Sequence, residues 1–339
     1  MLHVAECYDG GVQRAIEAHV RLTPEHEHHI LWTGESSPPK LEFYSSERRL
    51  PKGIIRRIGA VRKRVAELSP SVVLAHSSWA GVYSRAVKIP SPIWYEPHCF
   101  KYEDVLISGF ERFVFRTAER LMAHRTWEYL VLTPHEANLA RSLSKSARVT
   151  IVPNVATVYP SVPPGEHVGV ARVAMIGRIC AQKDPAFFSD VARVVRKSLP
   201  DTPFLWIGEG DQSGHRDLVD AGVLVTGWQD SAGLARELSA PVLLLHSASY
   251  EGFPLSVLDA VAFDCPIVVR DIPAFDGVGL LSVSSVQEAA TAVLTLLEDD
   301  AAWRGAVERS RALSQVMNEP SQRAALRVLY GNLPQGVQP

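Results

Sequence analysis

The sequence predicts an α/β protein built from two doubly wound parallel sheets, each its own domain. Three observations carry this expectation. Short apolar runs alternate with longer amphipathic stretches, the signature of a parallel sheet covered on both faces. That alternation runs through one series and then restarts. At 339 residues the chain has the length of two ordinary domains.

The first series places strands at Leu2–Glu6, Ile30–Thr33, Ser71–His76, Ile93–Glu96 and Tyr129–Thr133, with helices such as Gln13–Leu22 and Phe110–Ala123 between them. The second begins with strands at Val149–Val152 and Ala171–Ile176. It continues through Phe204–Gly208, Gly222–Thr226, Val242–His246 and Pro266–Val269. Helices are expected at Ala186–Lys197, Ala232–Leu238, Leu255–Ala262 and Ser285–Glu298. Residues 157–170 carry three prolines and two glycines with little periodicity, which reads as a linker. The expected division is therefore 1–156, linker 157–170 and 171–318. A last helix, about 319–331, is expected to return to the first domain, and the tail after Gly331 to fray.

Composition narrows the function classes. A net charge of -2 gives no global attraction to nucleic acid. The four cysteines are far apart and form no Cys-x-x-Cys, against a disulfide framework or a structural zinc site. The chain opens without a charged n-region, and no apolar run approaches bilayer length. A cytoplasmic protein with reduced thiols is expected. One local exception is basic: Arg48, Arg49, Lys52, Arg56, Arg57, Arg62, Lys63 and Arg64 surround apolar residues at helical spacing. Residues 48–68 read either as a membrane-surface helix suited to anionic lipid or as a core-packed helix with a solvated basic face.

Ligands of open parallel sheets bind at the carboxyl ends of the strands, and two such sheets can face each other across a cleft. Met175–Asp184, MIGRICAQKD, ends a strand at Gly177 and then supplies Arg178 and Lys183. Two cations on such a loop suit a diphosphate, Arg by bidentate grip and Lys as a point charge. SYEGFPLSVLDA, residues 249–260, follows the strand PVLLLH. Gly252 permits close backbone approach, and a helix starting near Pro254 would aim the amides of Phe253, Pro254's successor Leu255 and Ser256 at an anion. Glu251 and Asp259 lie eight residues apart, about two helical turns, so both carboxylates could address one ligand.

Gly177-Arg-x4-Lys183, then GEGD at 208–211, TGW at 226–228 and EGFPL-x3-Asp259 form an ordered series. It resembles the C-terminal half of the family-4 retaining glycosyltransferases, whose GT-B fold pairs two Rossmann-like domains across a cleft. The resemblance implies that Arg178 and Lys183 neutralise the donor diphosphate and that Glu251 holds hydroxyls of the transferred sugar. It places Asp259 at the ribose, where the family has Glu, and Glu209 and Trp228 beside the nucleoside. In the first half, DGGVQR at 9–14 resembles the family's first-strand glycine loop, with Gly11 near the donor phosphates. WYEPHCF at 94–100 resembles its Pro-His-Gly-Phe segment, which puts His98 beside the sugar and Cys99 where Gly is usual. His76, closing the strand SVVLAH, is a second candidate.

The implied reaction moves a sugar from a nucleotide-sugar to an acceptor hydroxyl with retention of configuration. The acceptor class is a glycan or lipid-linked glycan of bacterial surface polysaccharide. The nucleotide-sugar is a substrate, so no cofactor is expected. No Asp-x-Asp motif offers a metal site, and metal independence follows. The alternatives are a sugar-nucleotide epimerase of the same fold and a non-catalytic nucleotide- or glycan-binding protein. No Gly-x-Gly-x-x-Gly follows the first strand, against a dehydrogenase.

Overall fold

The computed structural model describes residues 1–34, 42–161 and 171–333. Most of the expected linker, 162–170, and the extreme tail, 334–339, lie outside the described residues. The chain divides into two compact units, Met1–Val155 with Glu319–Pro339, and Ala156–Asn318.

In unit 1 the order is β1 (Leu2–Ala5), α1 (Gly10–Leu22), β2 (His29–Trp32), β3 (Ser46–Arg49), α2 (Ile54–Leu68), β4 (Val73–His76), α3 (Ser78–Arg85), β5 (Ile93–Glu96), α4 (Gly109–Met122), β6 (Glu128–Val131), α5 (Pro134–Leu143) and β7 (Val149–Ile151). Its seven strands are ordered β3-β2-β1-β4-β5-β6-β7 and all pair in parallel. Unit 2 runs β8 (Arg172–Ile176), α6 (Pro185–Val195), β9 (Phe204–Ile207), α7 (Gln212–Asp220), β10 (Leu224–Val225), α8 (Ser231–Leu238), β11 (Val242–His246), α9 (Leu255–Ala262), β12 (Ile267–Arg270), β13 (Leu281–Val283), α10 (Val286–Glu298) and α11 (Asp300–Ser314). Its parallel sheet is ordered β10-β9-β8-β11-β12-β13. Each sheet reverses its winding once, between β1 and β4 in unit 1 and between β8 and β11 in unit 2. Those are the crevices where doubly wound sheets bind ligands.

The last helix, α12 (Glu319–Gly331), belongs to unit 1. Its Leu326 and Leu329 pack with Met1, Leu22, Val72, Leu74, Trp94 and Val152. Burying each leucine contributes about 1.5–3 kcal/mol. Polar contacts fix the register: Gln322 Nε2 donates to the Pro153 carbonyl at 2.9 Å, and Tyr330 Oη meets His19 Nε2 at 2.6 Å.

Two sequence expectations are corrected. Residues 149–152 were expected to open the second series, yet β7 is the edge strand of the first sheet. Its short apolar run carries no mark of which sheet it joins. The basic segment 48–68 is not one helix: Ser46–Arg49 pairs with β2 as a strand, and the helix starts at Ile54. Its apolar stripe, Ile58, Val61, Val65 and Leu68, faces the core of unit 1. Part of its charge has internal partners. Arg64 meets Glu67 at 3.1 Å, Arg57 donates to Tyr83 Oη at 2.7 Å, and Arg48 pairs with Glu67.

Candidate active site

In unit 2 the loops leaving β8 and β9 stay paired beyond the strands. Ile179 N donates to the Glu209 carbonyl and Asp211 N to that of Ile179. Such contact admits no side chains: a Cβ on Gly208 would stand 2.1 Å from the Gly177 carbonyl oxygen, and one on Gly210 2.1 Å from that of Ile179. Gly177 itself has φ +153, outside the range ordinary residues favour, and lies under the Lys183 side chain. The glycines of the GEG motif are thus explained by backbone contact.

Across the crevice, the loop after β8 is stitched to the loop after β11. Ser249 N and Gln182 Nε2 exchange bonds with the Gln182 and Tyr250 carbonyls, at 2.9 and 3.0 Å. Ser247 Oγ donates to the Lys183 carbonyl at 2.6 Å. Asp184, in the left-handed region, caps α6 through Phe187 N and accepts from Arg270. On this scaffold Lys183 Nζ donates to Glu251 Oε1, so two of the expected site residues meet as a half-buried ion pair. Arg178 is exposed on the same loop.

Gly252, Phe253, Pro254 and Leu255 are buried. α9 begins at Leu255 with Pro254 at its N-cap, and no side chain caps it. Val257 N donates to the Pro254 carbonyl, which closes the first turn. Glu209 is exposed, and Trp228 is 58% exposed, so its ring is not a packing element of unit 2.

Asp259 lies on α9. It is fully buried, and its Oδ1 accepts from the backbone N–H groups of Thr157 and Val158 at 2.8 and 3.1 Å. Its carboxylate fastens the chain entering unit 2.

His246, at the end of β11, was missed. It is fully buried, with Nε2 3.9 Å from Glu251 Oε1, and neither ring nitrogen has a hydrogen-bond partner among the described residues. Burial, then the Lys183 charge, holds it well below the usual histidine range, so the ring is neutral. A signal existed: β11 ends VLLLH just as β4 ends VLAH, both at the crossover.

In unit 1, α1 starts at Gly10, with φ +53, after an Asp9 N-cap that makes no side-chain cap bond. Gly11 is exposed in its first turn. His98 and Cys99 both have positive φ, +54 and +119. The turn is the one glycine would serve, and Cys99 adopts it at a cost. It brings His98 Nε2 to 3.3 Å from His76 Nδ1, and Glu96 Oε2 to 3.1 Å from that same nitrogen.

Behind these three residues lies a chain of imidazoles. His76 Nε2 meets His3 Nδ1 at 3.0 Å, His3 Nε2 meets His28 Nδ1 at 2.9 Å, and His28 Nε2 meets the Thr23 carbonyl at 3.0 Å. A carbonyl only accepts, so His28 carries its proton on Nε2. Burial pushes His28 down to about 4 and His3 well below the usual range, so both rings are neutral. Elimination then fixes the chain: His3 donates from Nε2 to His28, and His76 donates from Nε2 to His3. His76 Nδ1 is left to face Glu96 and His98, donating to the carboxylate when protonated and accepting from His98 Nε2–H when not. Burial raises the Glu96 carboxyl, but His98 and His76 outweigh it and bring it to about 2. His76, Glu96 and His98 also each place one ligand atom within 4.8 Å of the others, a spacing that could hold a divalent ion.

The chain matches two family descriptions, "Glycosyl transferase 4-like domain" over residues 10–155 and "Glycosyl transferases group 1" over residues 171–299. Among curated proteins it is 20% identical to the UDP-Gal:alpha-D-GlcNAc-diphosphoundecaprenol alpha-1,3-galactosyltransferase of Escherichia coli, covering 85% of each chain. It is 21% identical to an uncharacterized 41.2 kDa protein in the cps region of Klebsiella pneumoniae, covering 88% of this chain and 86% of the relative. Among solved structures, sucrose-phosphate synthase from Thermosynechococcus elongatus superposes with TM-score 0.79 at 16% identity over 98% of both chains. Anabaena HepE in complex with UDP-glucose superposes with TM-score 0.79 at 13% identity, over 97% of this chain and 99% of that one. These likenesses establish the shared two-domain α/β fold.

Proposed function

The chain belongs to the group 1 glycosyltransferases, and from that premise we propose that it moves a hexosyl group from a uridine-diphosphate sugar to a hydroxyl of a lipid-linked glycan, with retention of anomeric configuration, in bacterial surface polysaccharide synthesis. The observation that carries the donor half is the Lys183–Glu251 pair at the crossover of the unit 2 sheet, beside exposed Arg178. The uridine donor and lipid-linked acceptor are suggested by the names of the Escherichia coli galactosyltransferase and the HepE complex.

In this reading the bond from the anomeric carbon to the diphosphate oxygen breaks through an oxocarbenium-like transition state. A bond to the acceptor oxygen forms, and the acceptor's proton leaves with the diphosphate. Arg178 and Lys183 stabilise the charge that develops on the leaving oxygens. Glu251 accepts from sugar hydroxyls, held in position by Lys183. His246, a neutral ring with Nε2 3.9 Å from Glu251 Oε1, is assigned to a donor hydroxyl. Gly177 and the amides following Gly252 line the phosphate side, with Glu209 and Trp228 on the nucleoside side. Within unit 1, Gly11 is assigned to the donor phosphates and His98 to the transferred sugar.

The test is thermal stabilisation by a panel of nucleoside diphosphates, followed by transfer from the matching sugar nucleotide with and without a strong chelator. Selective stabilisation by UDP and chelator-resistant transfer are expected; stabilisation by none of the panel contradicts the reading. The acid–base cluster His76, Glu96 and His98 favours one second reading, epimerisation of the sugar nucleotide. Proton NMR of the donor incubated without acceptor separates the two, because only an epimerase yields an isomeric sugar nucleotide.

A further inference from the structure

Among the described residues of unit 1, α4 carries an apolar stripe that faces outward, whereas the apolar stripe of the basic helix α2 meets the core. Phe110, Phe113, Val114 and Leu121 are 75, 66, 47 and 69% exposed. With Thr117 they occupy about 100° of helical arc, one continuous stripe. Val105 and Leu106, also exposed, extend the patch into the preceding turn. A cluster of large apolar side chains this contiguous on a water-facing surface marks an interaction site.

The helix is not turned outward by lack of anchorage. Its opposite side presents Phe115 to the core and Ala118 and Met122 to Trp79 and Val82. Glu119 is buried there, 3.0 Å from Arg85, and accepts from Tyr95 Oη at 2.9 Å. Arg85 lies over the Tyr95 ring, 3.7 Å from its centroid. Rolling α4 to hide its phenylalanines would pull Glu119 out of this buried pair and leave Arg85 unpaired, a severe penalty. The N-terminus is fixed as well, by the Ser108–Glu111 capping box and by Arg112 Nε donating to the Tyr102 carbonyl.

The charges beside the stripe select the occupant. Arg112, Arg116 and Arg120 follow one another at four-residue steps along one flank, all exposed. The exposed carboxylate of the helix is Glu111, which the capping box holds. An apolar stripe bordered by a row of arginines fits a surface of acyl chains beneath anionic headgroups. Pairing two copies through the same face would gather both arginine rows in one interface against only the capping glutamates.

We propose that the outer face of α4 docks this protein on an anionic phospholipid bilayer, with Phe110, Phe113 and Leu121 inserted and Arg116 and Arg120 at the headgroups. This holds whichever acceptor the enzyme uses, and its test needs no turnover. The full chain is sedimented with vesicles of phosphatidylglycerol and phosphatidylethanolamine, and separately with phosphatidylcholine alone. Binding to the anionic vesicles, weakened by salt and absent with phosphatidylcholine, is expected. The triple variant Phe110→Ser, Phe113→Ser, Leu121→Ser should lower the partition coefficient at least about tenfold with an unchanged far-ultraviolet circular dichroism spectrum and melting curve. Should that variant misfold, Arg116→Glu with Arg120→Glu keeps the test, because loss of anionic-vesicle binding is expected from it too. Wild-type protein left in the supernatant, or variants that sediment like wild type, would overturn the proposal. So would light scattering that shows a dimer which the serine variant converts to monomer, since the face would then belong to a second copy.

Discussion

Lys183 reaches from the loop after β8 to Glu251 on the loop after β11, joining the two sides of the unit 2 crossover by one ion pair. If these groups act together on a donor, their mutational effects are coupled. Lys183→Met should cost about two to three decades in kcat, the scale of a lost transition-state donor. Arg178→Ala should cost a similar amount. Glu251→Gln should act mainly on the sugar, and the double variant with Lys183→Met should lose less than the sum of the two singles. Steady-state kinetics on all four variants checks this, and strict additivity would show that the pair does not function as a unit.

Asp259 makes a contrasting prediction. Because its Oδ1 holds the amides of Thr157 and Val158, Asp259→Ala removes a charged acceptor from both. Loss of hydrogen bonds to a charged acceptor predicts about 2–3 kcal/mol of lost stability. The donor KM should stay within about twofold at a temperature where the variant is folded, since no transition-state or substrate contact is removed. A large rise in KM without a fall in melting temperature would restore the ribose contact.

The outline of both sheets was legible because strand–helix alternation is a local pattern, and the loops after β8 and β11 were legible because their glycines and charges sit at strand ends. What escaped was set by distant partners. Asp259 lies on its helix where spacing places it, but its carboxylate answers to residues 157–158, about a hundred positions earlier. α4 was visible as a helix, yet it carries two apolar sides. Periodicity does not say which of them, Phe115 and Met122 or Phe110 and Phe113, meets the core. The imidazole chain joins residues 3, 28, 76 and 98, which lie on or beside four neighbouring strands, β1, β2, β4 and β5. Of these, His76 stood out because it ends a strand, and His98 because its segment resembles a family motif.

Cys99 offers a test of backbone strain. At φ +119 it occupies a region where a side chain costs about 1–3 kcal/mol. Cys99→Gly should therefore stabilise unit 1 despite glycine's greater freedom in the unfolded chain, by roughly 1 kcal/mol net. Chemical denaturation of wild type and variant measures it. Turnover should change little, because the loop already has the glycine-like turn.

The imidazole chain makes unit 1 sensitive to acid. Burial is the main cause that holds His28 at about 4, His19 at about 3 and His3 well below its ordinary range. In the unfolded chain each titrates near 6.5. The folded state thus binds fewer protons below pH 6.5. The stability from each ring is complete above that pH and is lost as the pH falls through the folded value. Glu96, brought to about 2 by His98 and His76 against its burial, loses its contribution in the same direction below about 4.5. Glu136 opposes them: burial raises it to about 7, so its contribution is complete at low pH and is lost as the pH rises through 7. Each group contributes about 1.4 kcal/mol per pH unit inside its window. Between pH 6.5 and 4.5 the lowered histidines outweigh Glu136, so unit 1 loses stability as the pH falls. Hydrogen exchange of the β1 and β4 amides at pH 7 and pH 5 should report this fall. His28→Gln, whose side-chain amide can still donate to the Thr23 carbonyl, should remove about one histidine's share of the slope. An unaltered slope in that variant would mean that His28 protonates in the folded protein as readily as in water, and the directional chain that ends at His76 would lose its anchor.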